Sequence, residues 1–558
     1  MRRIVHSQAT LTGTPVAIEV QSASFSYPDG TAVIENVSFK VPTGSITALV
    51  GPNGVGKTTM LELIAGHKLL AEGHVRSDTE IAYMRQNPGF DDLRSATVIN
   101  ALSLSLPLTL RLVHDRLQEL YALAGESDGL DLANELELWQ SLGGYEAEGR
   151  WDQVTRAVLR QGLTEASDRK ISELSGGERK SLILRAYLLS NVQTLILDEP
   201  DNFLDLFSKA WLGNELRNTS KTILLVSHDR KLLTQAVDRM VALEHNDVWT
   251  HGGTYATFPA ERRKRIEKLA KDLDAWKAEE RRLYRYYKLL KQRAGVSTAM
   301  ASRADAAQSR WERFKVAGPP QLPPPEREIT TRFRGSRTGK EAVRLTGFEV
   351  EDLVAPFSVT IYNEDRVALL GENGVGKTTF LKRLVAADPA MGETIRYGPT
   401  AKIGYFSQNN EIADPTAAVF DVARPNFRND QETLSALGRY GLADHHKHRL
   451  GELSGGQKAR VQLLILETED PNVLLLDEPT DNLDLESILI IEEALLELEA
   501  TQLAITHDAT FTRVFDRFII FDRHGVVAEA PDREHALWVA SHRAFSLLDD
   551  PKMQILSV

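Results

Sequence analysis

Two near-identical nonapeptides, GPNGVGKTT at 51–59 and GENGVGKTT at 371–379, mark the chain as an internal duplication. Subtracting positions supports this: Ser454 minus Ser175, Asp477 minus Asp198 and His507 minus His228 each give 279, whereas Lys377 minus Lys57 gives 320. The 41-residue difference lies between the glycine-rich loop and the Ser-Gly-Gly motif, so the first copy carries an insertion, roughly Leu104 to Trp151, that the second lacks. Each glycine-rich loop follows an apolar run (Ile46 to Val50; Val367 to Leu370) and precedes a helix-periodic stretch (Met60 to Ala65; Phe380 to Val385). That strand, loop, helix order is what a phosphate-binding loop requires. A second apolar run, Leu195 to Leu197 and again Leu474 to Leu476, ends in Asp-Glu-Pro and reads as a buried parallel strand. The expected fold is α/β, with two P-loop domains in tandem.

Composition narrows the class further. A chain of 558 residues with 42% hydrophobic and 26% charged residues is globular and long enough for two large domains. It has no apolar run of the ~18 residues that a membrane span needs, and its first residues lack a signal peptide's apolar stretch, so a cytoplasmic protein is expected. The absence of cysteine excludes disulfides, iron–sulfur clusters and cysteine zinc sites.

In each repeat the residue types suit phosphate chemistry. Gly51, Gly54 and Gly56 around Asn53, and Gly371, Gly374 and Gly376 around Asn373, let backbone N–H groups curl about phosphate oxygens at a helix N-terminus. Lys57 and Lys377 then reach the terminal phosphates, with Thr59 and Thr379 closing each loop. The hydroxyls of Thr58 and Thr378, with Asp198 and Asp477 at the strand ends, are placed to hold Mg²⁺ between the phosphates of ATP. Glu199 and Glu478 can polarise a water aimed at the γ-phosphorus.

With these motifs the sequence resembles the ATP-binding-cassette superfamily over both repeats. Leu174-Ser175-Gly176-Gly177-Glu178 and Leu453-Ser454-Gly455-Gly456-Gln457 match its signature motif, Gln86 and Gln408 its Q-loop glutamine and metal contact, and His228 and His507 its switch histidine. The resemblance implies that the cassettes face head to tail. ATP on Lys57 would then be closed over by Ser454 to Gly456, and ATP on Lys377 by Ser175 to Gly177. Tyr27 stands where an adenine-stacking aromatic is expected, and Phe348 is the weaker counterpart, with core packing as its other reading. After Asp-Glu-Pro the first copy reads Asp201-Asn202-Phe203-Leu204-Asp205 and the second Thr480-Asp481-Asn482-Leu483-Asp484, which leaves room for unequal turnover.

Between the repeats, residues 261–315 hold 17 Lys or Arg against 8 Asp or Glu, while the whole chain is at −12. This asymmetry points to a local polyanion, with nucleic acid the leading choice. Apolar residues at Ile266, Leu269, Leu273, Trp276, Leu283, Tyr287 and Leu290 keep a 3-4 spacing broken only by Glu280. Met300, Ala304, Ala307, Trp311 and Phe314 repeat it, so two helices turning back between Arg293 and Ala299 should zip into an antiparallel coiled coil. Gly318-Pro319-Pro320 then stops the helix. The expected layout is a first cassette over 1–255, a linker over 256–335 and a second cassette over 336–558.

A linker of this kind between tandem cassettes resembles the ABC-F subfamily, whose members bind the ribosomal E site and extend the arm toward the peptidyl-transferase centre. Met300-Ala301-Ser302-Arg303-Ala304-Asp305 and its continuation to Phe314 look most like the actinobacterial ribosome-protection members. The resemblance implies a 70S ribosome partner, ribosomal RNA and P-site transfer RNA included, with ATP and Mg²⁺ as cofactors and a monomer that pairs its own cassettes. Arg281, Arg282, Arg285, Lys288, Lys291, Arg293 and Arg303 become the candidate RNA contacts. Three other readings stay open: a linker that is only a strut, a housekeeping factor for stalled ribosomes, and an ATPase subunit of a transporter.

Overall fold

The computed structural model describes residues 15–86, 96–122, 129–244, 247–293, 298–323, 338–387, 394–407, 414–542 and 547–557. Each repeat folds around a largely parallel sheet whose central strand, Ile46–Val50 or Arg366–Gly371, delivers the glycine-rich loop. In the first, Thr222–Val226 and Arg239–Glu244 flank it in parallel, and Thr194–Asp198 lies one strand further out. The second repeats this order with Thr501–Ile505, Arg517–Phe521 and Val473–Asp477. Every residue of Thr194–Asp198 and Val473–Asp477 is buried, as the unbroken apolar runs require of strands covered on both faces. A small antiparallel sheet, Ala32–Pro42, Val16–Ser26 and Glu72–Ser77 in the first copy, packs over the phosphate-loop helix.

The stretch that lengthens the first copy holds helices Leu108–Ala122 and Gly129–Ser141 and the start of Gly144–Leu159. Their core is His114, Trp139 and Trp151, and Gly144 lies so close under the Trp139 ring that a Cβ there would come within 2.0 Å of it. The last of these helices packs on Gly176–Leu189, the helix that carries Ser-Gly-Gly. In the second copy the shorter helix Asp430–Arg439 takes this side.

The linker leaves the first cassette as one helix, Phe258–Arg293, and returns as Thr298–Ala317. It starts at Phe258, which stacks flat on Trp249 (5.2 Å, 6°), and Pro259 suits a first helical turn. Arg262 pairs with Glu244 and Arg265 with Asp247, which fixes the helix base to the cassette. At 36 residues this helix is ~54 Å long at 1.5 Å per residue. Leu283, Tyr287, Leu290, Ala304 and Ala307 are buried in the seam, and Trp276 stacks on Phe314. Residues 294–297, where most of the expected turn falls, lie outside the described residues. No described helix is long and apolar enough to cross a membrane.

Candidate nucleotide sites between the cassettes

Helices Lys57–Ile64 and Lys377–Ala386 start at Gly56 and Gly376, which take left-handed conformations (φ 100° and 96°) that a side chain would strain. This opens the first-turn N–H groups toward a common cradle. Lys57 donates through Nζ to the carbonyls of Gly51 and Pro52 at 2.8 and 3.1 Å, and Lys377 to those of Gly371 and Glu372 at 2.9 and 2.6 Å. Burial lowers both ammonium pKa values, Lys377 to about 8, while Glu199 in one site and Glu478 in the other pull them back up.

Thr378 donates to Oδ1 of Asp477 at 3.1 Å, and the Thr58 hydroxyl lies against the Asp198 carboxylate and favours its charged form. Tyr83 and Tyr405, absent from the sequence-based site, donate to Oδ2 of these aspartates at 3.5 and 3.3 Å. Both tyrosines sit on the edge strand beside the aspartate's strand, a placement visible only after strand pairing.

The glutamates that follow are held in left-handed conformations, Glu199 at φ 47° and Glu478 at 49°, with their N–H groups bonded to Val226 and Ile505. Gln86 donates to Glu199 at 2.5 Å; its counterpart Gln408 lies outside the described residues. His228 and His507 each stand 3.8 Å from their glutamate. Burial, aided by the nearby Lys57 and Lys377, holds both imidazoles neutral, well below the ordinary histidine range. Burial and then the neighbouring Asp198 push Glu199 upward; burial and then Asp481 push Glu478 to about 10.

Ser175 and Ser454 cap their helices, each in a reciprocal capping box with the residue three further on, Glu178 or Gln457. This explains the Glu and Gln that end the two motifs. The halves meet head to tail. The N–H of Asn53 donates to Asp484 at 3.0 Å, that of Asn373 to Asp205 at 3.4 Å, and the Asn373 amide to the Phe203 carbonyl at 2.9 Å. Gly177 faces Asn373 so closely that a Cβ would lie 2.8 Å from its Nδ2. The first signature thus adjoins the second phosphate loop, while Asp484, beyond the second Asp-Glu, reaches the first. Asp205 and Asp484 had no role assigned from sequence, although they keep the 279 offset that could have marked them.

These residues fit Mg²⁺ and ATP. Asp198 leaves Oδ1 buried and unbonded, and His228 and His507 leave both ring nitrogens so. Among the described residues no group of three or more His, Cys, Asp or Glu could hold a metal alone, so a cation here would draw ligands from the nucleotide. Tyr27 lies beside the first phosphate loop, 3.4 Å from Thr59 Oγ1, with Lys68 over its ring. Phe348 is core, buried against Phe357 and Phe380. Thr59 is buried behind its loop, and Thr379 follows Thr378 in the first helical turn.

On the linker, all seven candidate RNA contacts are exposed. Arg282 pairs with Glu279, Arg281 donates to its own helix at Lys277, and Lys288 and Lys291 lie over Tyr284 and Tyr287.

A phosphate-loop core, duplicated and closed on itself head to tail, defines a tandem-cassette ATPase. The ABC transporter family model matches residues 34–202 and 354–481. An antibiotic resistance protein of Mycobacteroides abscessus is 36% identical over 94% of this chain and 100% of its own length. ATP-binding cassette sub-family F member 3 of Homo sapiens is 29% identical over 92% of this chain and 72% of its own. The energy-dependent translational throttle protein EttA of Mycobacterium tuberculosis is 26% identical over 94% of both. Among solved structures, an archaeal ribosome recycling factor in complex with a ribosomal stalk protein superposes with a TM-score of 0.55 at 20% identity, over 90% of this chain and 87% of that one, a likeness of fold. The chain belongs to the F subfamily of ATP-binding-cassette ATPases, enzymes that hydrolyse ATP to ADP and phosphate.

Proposed function

We propose that this ATPase binds the 70S ribosome in its ATP-closed form and places the linker near the peptidyl-transferase centre. There it protects against, or displaces, an antibiotic of the macrolide, lincosamide or streptogramin type. The observation that carries the reading is the pairing of closed composite sites with a ~54 Å basic helix anchored rigidly to one cassette. A relative named for antibiotic resistance and another named as a translational throttle support it.

In each site the loop N–H groups and Lys57 or Lys377 bind the phosphates, and Ser175 to Gly177 or Ser454 to Gly456 complete the wall from the opposite cassette. Thr58, Asp198 and Gln86, with Thr378, Asp477 and Gln408, would hold Mg²⁺, which offsets charge on the phosphates when bound. Glu199 and Glu478 orient and polarise the attacking water, and neutral His228 and His507 hold position beside them. Loss of the terminal phosphate removes what the signature helices grip, so hydrolysis opens the cassettes and releases the ribosome.

The test is sedimentation of the Glu199→Gln, Glu478→Gln double variant with 70S ribosomes and ATP. Co-sedimentation that is lost on deleting residues 284–310, and antibiotic displacement from programmed ribosomes, are expected. A protein that stays in the supernatant overturns ribosome binding. One that sediments without affecting any antibiotic assigns the housekeeping role.

A further inference from the structure

The cassette interface is asymmetric around Arg230. Arg230, two residues after His228, is 4% exposed and donates in bidentate fashion to Glu492 of the opposite cassette, with Nη1 at 2.8 Å from Oε2. It also reaches Asp508 at 3.2 Å. Glu492 lies on helix Leu485–Glu497, which starts at Asp484, the residue that meets Asn53. The ion pair therefore flanks the site around Lys57 and ties the His228 segment to the opposite half.

The 279 offset maps Arg230 onto Ala509 and Glu492 onto Gly213. On the flank of the site around Lys377, a cleft lined by Gly213, Ala509 and His507 takes the place of the ion pair. Asp229, the counterpart of Asp508, pairs there with Lys209 of its own cassette at 3.3 Å, so this carboxylate is satisfied without crossing the interface.

We propose that Arg230 is a positioning residue that braces the site around Lys57, so that after hydrolysis the site around Lys377 parts first. Separating the braced side requires Arg230 to leave a buried bidentate partner, whereas the alanine and glycine at the equivalent positions of the other side have no such bond to break. The brace is separable because Glu492 keeps a second partner, Arg513 of its own cassette, at 2.5 Å. Opening therefore returns Arg230 to water without leaving Glu492 as an unpaired buried charge.

The chain has no cysteine, so the sites can be reported separately by spin labels on introduced pairs. Thr31→Cys with Glu452→Cys spans the site around Lys57; Glu173→Cys with Glu351→Cys, at the equivalent exposed positions, spans the other. Freeze-quenched pulsed electron resonance after a single ATP turnover should show the 173–351 distance lengthening first. The 31–452 distance should follow roughly tenfold or more slowly, the factor one charge-assisted hydrogen bond carries. Arg230→Ala should abolish the lag and Arg230→Lys should restore part of it. Should Arg230→Ala fail to fold, Glu492→Gln, which keeps the volume, is expected to shorten the lag likewise. Simultaneous opening in the native protein, or a lag unchanged in these variants, overturns the proposal.

Discussion

Trp311 donates its indole N–H to Glu280 across the linker seam at 2.7 Å. Glu280 is the one residue that breaks the apolar spacing of the outgoing helix, and this bond is why it is there. Trp311 also stacks on Tyr287 (5.8 Å, 8°), so the pair pins the register of the hairpin. A slip of one heptad would strand both polar groups and move the tip ~10 Å at 1.5 Å per residue. Glu280→Ala should cost the hairpin about 1–3 kcal/mol, the penalty of an unsatisfied donor. Hydrogen exchange over residues 276–315 should speed up while ribosome-free ATPase stays unchanged. Unaltered exchange would show that the aromatic stack holds the register alone.

The two glutamates face different neighbours. Asn202 donates its amide to Glu199, whereas the equivalent Asp481 presents a carboxyl to Glu478 and shares a hydrogen bond with it. Burial and then Asp481 push Glu478 up to about 10, and a base acts only when deprotonated, so turnover at this site should rise with pH. In a Glu199→Gln background that isolates the second site, Asp481→Asn should shift the acid limb of kcat to lower pH and raise turnover at neutrality several-fold. The pH–rate profile checks this; an unmoved limb would assign it to another group.

What could be read from the residues alone was whatever repeats. The loops recur at an offset of 320 and the aspartates, glutamates, histidines and capped serines at a constant 279, because each copy must build the same cradle, and the fixed offsets made them visible together. Arg230 and Glu492 were not legible for the opposite reason: the bond joins residues 262 apart whose counterparts are alanine and glycine. Glu280 looked like a flaw in a heptad because its partner comes from the returning helix. Tyr83 and Tyr405 were missed because only strand pairing brings an edge tyrosine to the aspartate of the next strand.

Asp201, where the second copy has Thr480, makes the first cassette's stability depend on pH. It is 3% exposed, Oδ1 finds no partner, and burial followed by the Asp229 charge pushes its carboxyl up to about 6. The unfolded chain releases this proton near the ordinary ~3.9, so between about pH 4 and 6 the unfolded state ionises while the folded one resists. Stability should fall across that window by up to about 3 kcal/mol, with the loss complete above about pH 6 and absent below about pH 4. Asp201→Asn should match the native protein at the acid end of the window and exceed it at neutrality, where the Lys209–Asp229 pair remains neutral overall. Denaturant unfolding across this range is the check, and a pH-independent difference would rule out the carboxyl as its source.

The linker's basic residues are not equivalent as RNA contacts. Arg282 already pairs with Glu279, and Lys291 donates to the Tyr287 hydroxyl at 2.8 Å, so part of what each could offer a phosphate is committed within the hairpin. Arg285, Arg293 and Arg303 are exposed and carry no ion pair among the described residues. If the closed form grips ribosomal phosphates, replacing these three with Gln should weaken 70S binding of the Glu199→Gln, Glu478→Gln variant. It should also flatten the dependence of log K on log salt by up to about 0.9 for each phosphate that is no longer neutralised. Arg282→Gln should do less than any one of these, because its guanidinium is already paired with Glu279 and has less to offer a phosphate. Binding measured at several salt concentrations separates the outcomes: a weaker affinity with an unchanged slope would mean that the arm docks by shape, with its charges serving only to keep the helices soluble.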